Sequence, residues 1–135
     1  MNASEVTVEE NGQGRYQQAI QAGAHRLLAD EPVDMGGGDA GPAPYDFLLA
    51  ALGACTSITL RMYAERKALP LTRISVTLHH EKVEIDGQLV DRIERRITLE
   101  GDLSEELRAR MLEIAGKCPV HRTLSSQIQI SSVLC

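Results

Sequence analysis

The residues of this 135-residue chain best suited to covalent chemistry are three cysteines and one histidine. Cys55 stands in the apolar run YDFLLAALGACTSITL, Cys118 precedes Pro119 in KCPVH, and Cys135 closes the sequence. Two thiols can exchange electrons with an oxidant by closing a disulfide, and a thiol beside an imidazole can act as a nucleophile or bind a metal. Three is an odd number, far below the density of a disulfide scaffold, so a pair that bonds in a reducing compartment points to redox chemistry before structure. Cys135 lies where chain ends fray and is given no role.

On a helix, Cys55 shares its face with Leu48, Ala51, Leu52, Ile58, Thr59 and Met62. Such an apolar wall raises a thiol pKa, and the plain reading is a cysteine packed as a small hydrophobe. The sulfur is more than two turns from the helix start, beyond the reach of the dipole, so activation needs a cation from elsewhere in the fold. Cys118 is expected at the C-terminal end of a second helix, where exposed carbonyls disfavour an anion, which suits a resolving thiol better than an attacking one. The two can bond only if their Cα atoms come within about 7 Å, which their separation in the sequence leaves open. His121, three residues after Cys118, could assist a thiolate or chelate zinc. A metal site needs more ligands, and only His25, His79, His80 and the other cysteines remain, without a second paired motif, so no metal is expected. A Cys–His hydrolytic pair lacks a nucleophile loop, since Cys55 is mid-helix.

The elements that would hold these residues read as α+β. Glu5 to Glu10, Arg15 to Gln21 and His25 to Ala29, separated by Asn11-Gly12 and Ala22-Gly23, predict a three-stranded meander. Asp34 to Pro44 (DMGGGDAGPAP) is broken by glycine and proline and reads as a loop. Pro44 to about Lys67 predicts a helix of roughly 35 Å, with Pro44 in the first turn, Asp46 favourable against the dipole, and apolar residues nearly all round, as in a helix enclosed by protein. Arg73 to Ile85 and Leu89 to Leu99, joined by Asp86-Gly87, predict a hairpin with Ile74, Val76, Leu78, Ile93, Ile97 and Leu99 in phase. His79-His80 should put one ring on each face. Ser104 caps a second helix that Pro119 stops, so that it ends at Cys118, and Gln127 to Val133 alternates as a final strand.

The length fits one domain over residues 1–135. Nineteen acidic against fourteen basic residues give a net charge of −5, which argues against nucleic acid as a partner. The N-terminus shows no basic segment followed by an apolar core, so a cytoplasmic location is expected. The run from Tyr45 to Leu60 is interrupted by Asp46, Thr56, Ser57 and Thr59, so no membrane span is expected.

GPAPYDFLLAALGACTSITLRMYAERKALPL and GDLSEELRARMLEIAGKCPVHRTL together resemble the OsmC/Ohr family of organic hydroperoxide resistance proteins, nearly over the whole chain. The resemblance implies an intertwined homodimer with the two long helices buried between sheets and each active site at the dimer boundary. It implies that Cys55 is the peroxidatic cysteine, that Cys118 resolves its sulfenic acid to a disulfide, and that an external dithiol, of the dihydrolipoyl type, reduces that disulfide without a bound cofactor. The apolar wall of Leu48, Leu52, Ile58 and Met62 would then favour organic hydroperoxides. Family members activate the attacking thiolate with an arginine from the N-terminal hairpin, for which Arg15 in NGQGRY is the candidate, itself held by a carboxylate ahead of the long helix. Here the sequence departs from the pattern. In an ungapped alignment on the alanine-rich helix the acidic position falls on Tyr45, with Asp46 one residue later, and His121 stands where those enzymes tend to carry serine. Two other readings use the same residues: a non-catalytic module binding a small lipophilic or electrophilic ligand, and a hydrolase or transferase built on Cys55 and His121.

Overall fold

The computed structural model describes residues 4–135, which fall into two compact units, 4–48 and 49–135. The N-terminal unit is an antiparallel sheet in the order β1 (Val6–Glu10), β2 (Gln18–Ala22), β3 (His25–Ala29). A two-residue turn joins β2 to β3, with Ala22 opposite His25 and Gly23 at φ 60°, a backbone angle glycine adopts without steric cost. Asn11-Gly12 makes no comparably tight hairpin. The Asn11 side chain accepts a hydrogen bond from the Gln13 N–H at 3.0 Å, and β2 begins only at Gln18, so Arg15 lies in the connection and not in a strand.

The glycine-rich stretch after β3 is more ordered than its composition suggests. Asp30, 3% exposed, accepts hydrogen bonds from the N–H groups of Glu31 at 2.7 Å, Gly38 at 3.2 Å and Ala40 at 3.1 Å, and a single 3-10 turn forms at Val33–Met35. The backbone passes so near Asp30 that a side chain at Gly37 would collide with the Glu31 carbonyl. A buried carboxylate thus replaces the hydrogen bonds that regular structure would have supplied.

Helix α1 (Pro44–Arg66) starts where expected, with Pro44 in its first turn. Asp46 accepts a hydrogen bond from the Ala43 N–H at 2.9 Å, the reciprocal half of a capping box. The helix is long and apolar enough by composition to cross a membrane, yet its buried residues Leu52, Gly53, Thr56, Leu60, Tyr63 and Ala64 form one stripe. The enclosure expected all round is therefore not found within the chain: Ile58 is 54% exposed and Met62 63%.

In the C-terminal unit, β4 (Leu71–Ile85) and β5 (Gln88–Gly101) form a long antiparallel hairpin. Its turn, Asp86-Gly87, has φ of 51° and 78°, the two positive angles of a type I′ connection. The half-buried face carries Ile74, Val76, Leu78 and His80 on β4 and Ile93, Arg95, Ile97 and Leu99 on β5. The two adjacent rings differ as the pleat requires, His79 being 66% exposed and His80 17%. Helix α2 (Glu105–Ala115) begins at Ser104, whose hydroxyl accepts from the Leu107 N–H at 3.2 Å, and Arg108 ties it to the hairpin through the Leu99 and Gly101 carbonyls. Leu60, Tyr63, Ala64, Leu71, Leu103, Met111, Ile114 and Ala115 make the core of this unit.

Two expectations fail near the C-terminus. Helix α2 ends at Ala115, and Cys118 opens a further short helix, α3 (Pro119–Leu124). Pro119 stops one helix because it lacks an N–H, and for the same reason it fits the first turn of the next. Residues 127–133 alternate in sequence but form no strand, and Ile128, Ile130 and Val133 are 52%, 88% and 85% exposed. Alternation gives a segment two faces; a strand exists only when an edge supplies its hydrogen-bond partners, and neither described sheet includes this segment.

The hydrogen bonds to Asp30 hold its carboxyl below the ordinary value of 3.8: the Ala40 and Glu31 N–H groups lower it, burial opposes them, and the Gly38 N–H lowers it further. A depressed folded-state pKa means that the carboxylate stabilises this loop above about pH 4 and that the contribution is lost as pH falls through the folded value. The Gly38 and Ala40 amide resonances should titrate together with a midpoint below 3.8; a midpoint at or above that value would contradict the arrangement.

Candidate active site

Cys118 is the best-enclosed thiol of the described residues, with no exposed surface. Its place at the start of α3, and not at the end of α2, reverses the electrostatics expected for it. A backbone N–H faces the sulfur: the His121 N–H donates to Sγ at 3.3 Å. The second thiol is close by: Cys55 precedes Thr56, whose hydroxyl lies 4.0 Å from Cys118 Sγ, and the Cys55 side chain is near enough to lower the Cys118 pKa. Both are free thiols, Cys55 half-buried and Cys118 buried. Cys135 is exposed at the chain end.

Thr56, one residue after Cys55, turns into the buried stripe of α1 and connects this pair to the hairpin. Its hydroxyl donates to the Leu52 carbonyl at 2.6 Å, accepts from Arg95 Nη1 at 3.0 Å and lies 4.0 Å from Cys118 Sγ. The other arm of Arg95 donates to His121 Nδ1 at 3.0 Å. A guanidinium has no acceptor, so that contact requires Nδ1 without a proton and places the ring proton on Nε2. Arg95 has no carboxylate within salt-bridge distance among the described residues, although it lies half-buried on the inward face of β5. A sparsely solvated cation without a carboxylate favours an anion beside it.

The Cys118 pKa follows from this balance. Burial pushes it up and is the largest single influence; the His121 N–H, the Cys55 thiol, the Thr56 hydroxyl and the charge of Arg95 each pull it down and together prevail, so it lies below the ordinary 9.0. The hydroxyl contributes weakly, because its one proton is committed to Leu52 and the sulfur is at the limit of contact.

The other residues singled out in the sequence lie as follows. Arg15, in the N-terminal unit, stacks over the Tyr16 ring at 5.0 Å. The Asp46 carboxylate is engaged with its own helix start, and Tyr45 is 54% exposed. Of the apolar residues around Cys55, Leu52 is buried and Leu48 half-buried, whereas Ile58 and Met62 face outward. Among the described residues no group of three or more histidine, cysteine or acidic side chains could hold a metal ion. Arg95 and Thr56 escaped the sequence reading. Arg95 had a signal: it occupies the in-phase position between Ile93 and Ile97, where a charge on an apolar face calls for a partner.

A model of OsmC-like proteins matches residues 36–133, a span that contains α1 with Cys55, the hairpin, and Cys118 at the start of α3. The chain belongs to the OsmC-like family. An OsmC-like protein from Mycoplasma pneumoniae superposes with a TM-score of 0.75 at 20% identity, covering 91% of this chain and 87% of that one. An organic hydroperoxide resistance protein OsmC from Legionella pneumophila gives 0.69 at 16% identity, covering 93% and 90%. An organic hydroperoxide resistance protein from Elizabethkingia anophelis, crystallised with thiocyanate bound, gives 0.70 at 17% identity, covering 96% and 92%. At these identities the likeness establishes an OsmC-like fold and nothing finer. No curated protein sequence matches the chain.

The ultraviolet absorbance that wild-type protein gains from thiolate, compared with that of Cys118→Ser, should titrate with a midpoint below 9.0. Arg95→Gln should move that midpoint upward, and Arg95→Lys should restore part of the shift. An unchanged midpoint in Arg95→Gln would remove this residue from the site.

Proposed function

We propose that this OsmC-like protein is a thiol-dependent peroxidase that reduces organic hydroperoxides to alcohols. The observation that carries the reading is a half-buried thiol on the residue next to Thr56, whose hydroxyl lies 4.0 Å from the sulfur of a fully buried thiol that also accepts the His121 N–H at 3.3 Å. Cys55 is the sulfur a peroxide can approach. As it attacks, its proton passes to Cys118; the O–O bond breaks, Cys55 becomes a sulfenic acid, and the departing alkoxide takes that proton from Cys118 and leaves as the alcohol. Cys118, again as thiolate, attacks the sulfenic sulfur, the S–S bond forms and hydroxide leaves as water. An external dithiol, of the dihydrolipoyl type by family resemblance, returns the pair to thiols.

Leu48, Ile58 and Met62, the residues of the expected wall that keep apolar surface, favour an alkyl or aryl hydroperoxide over hydrogen peroxide, because burial of apolar surface adds to binding only where the substrate carries carbon; Leu52 is already buried. Arg15 enters the proposal through the resemblance, as a second cation for the attacking thiolate. The proposal includes a homodimer, supported by the apolar residues that α1 leaves at the surface, Ile58 and Met62.

Stopped-flow oxidation of the reduced protein by cumene hydroperoxide should consume two thiols rapidly, and more slowly with hydrogen peroxide. Cys118→Ser should accumulate a sulfenic acid on Cys55, trappable by dimedone, and Cys55→Ser should lose activity. Oxidation no faster than that of free cysteine would reject the peroxidase. A ligand-binding module would tolerate both substitutions, and a Cys–His hydrolase would survive loss of Cys118. For the dimer, sedimentation of wild type should give twice the chain mass, and Met62→Glu should shift it toward one chain; a monomeric wild type would refute this part.

A further inference from the structure

We propose that the disulfide is opened in one direction only: an external thiol attacks the Cys55 sulfur, and Cys118 departs as a thiolate into a ready-made setting formed by the His121 N–H and Arg95. The inference rests on the Cys55–Cys118 disulfide of the preceding reading and on two independent observations. The first is access. Cys118 has no exposed surface, whereas Cys55 is half-buried, so an incoming thiolate meets Cys55. The second is the fate of the electron pair. The Cys118 sulfur has a backbone donor at 3.3 Å and lies in the field of a half-buried arginine that no described carboxylate neutralises. The sulfur with a backbone donor and a nearby cation to receive the electron pair is therefore the one an attacker cannot reach, and in thiol exchange a stabilised leaving thiolate departs faster.

The steps balance. The first thiolate of a dithiol forms a bond to Cys55 Sγ while the Cys55–Cys118 bond breaks, and the electron pair moves to Cys118 Sγ. The second thiol of the reductant, deprotonated, attacks its own sulfur of the mixed disulfide, closes a cyclic disulfide and releases Cys55, which takes up the proton. The protein disulfide gains two electrons and the dithiol loses two.

Arg95 is a positioning residue here. Through Thr56 and His121 it is fixed 3.0 Å from each of two groups that touch or flank the Cys118 sulfur, and it acts on the leaving group without contacting the reductant.

The test uses the full chain, oxidised with diamide so that peroxide activity plays no part. The disulfide form is mixed briefly with 2-mercaptoethanol, a monothiol with no second sulfur to close a cyclic disulfide, quenched at early times with iodoacetamide before a second molecule resolves the adduct, digested and mapped by mass spectrometry. The mercaptoethanol adduct is expected on Cys55 and the carbamidomethyl group on Cys118. Adducts on Cys118, or divided evenly, would overturn the inference while leaving the peroxidase reading intact. A pair that stays reduced under diamide would overturn both. In Arg95→Gln, opening should slow by up to about tenfold for each unit by which the Cys118 pKa rises, with partial recovery in Arg95→Lys. A purely structural role for Arg95 would not make the rate follow the pKa. Should Arg95→Gln fail to fold, the adduct map of the wild type decides alone.

Discussion

A positive charge inside an apolar layer is the constraint around which the C-terminal unit is organised. Arg95 points the same way as Ile93, Ile97 and Leu99, toward α1, and a guanidinium there must find acceptors or remain in contact with solvent. It finds a hydroxyl on α1 and an imidazole on α3, so three elements distant in sequence meet on one side chain. Close helix packing is needed for this, and α1 provides it at Gly53, where a side chain would press on Leu78, the residue opposite Arg95 in the hairpin register. The small residue brings helix and sheet together at the level where the charge must be shared.

The same cluster explains how a thiol can be fully enclosed and yet titrate below its ordinary value. Burial alone would leave Cys118 inert, as it does most enclosed cysteines. What changes the outcome is that the enclosure is made partly of donors. A chain that starts a new helix immediately after the cysteine turns the His121 N–H toward the sulfur, and the arginine supplies the charge that a short helix cannot. The proline between Cys118 and His121 follows from the same geometry, for it ends α2 and pre-forms the first turn of α3.

Much of this architecture was legible in the residues. The helix over Pro44–Arg66, the hairpin with its Asp86-Gly87 turn and the Ser104 cap each rest on local rules that the tertiary structure did not override. Two kinds of feature were not legible. The first concerns context: whether Cys118 closes a helix or opens one depends on where the three residues after Ala115 turn, and proline is compatible with both. The second concerns partners. The alternation of residues 127–133 and the apolar girth of α1 both describe surfaces able to pack, without naming what packs on them. Thr56 was hidden for a related reason, since one residue along a helix rotates a side chain by about 100° and moves attention from the sulfur beside it to the hydroxyl that faces inward.

The tip of the hairpin, far from either sulfur, bears on the chemistry through its pairing. Positive φ at both Asp86 and Gly87 permits a two-residue connection, and that connection sets Leu78 opposite Arg95. Strand side chains alternate, so a slip of one residue would turn the guanidinium outward and bring Glu94 or Arg96 to the inner face. Such a misfolded ribbon would retain nearly all of its cross-strand hydrogen bonds while its thiols lost their cation. The fidelity of one surface loop during folding thus determines whether the guanidinium reaches Thr56 and His121 in the finished molecule.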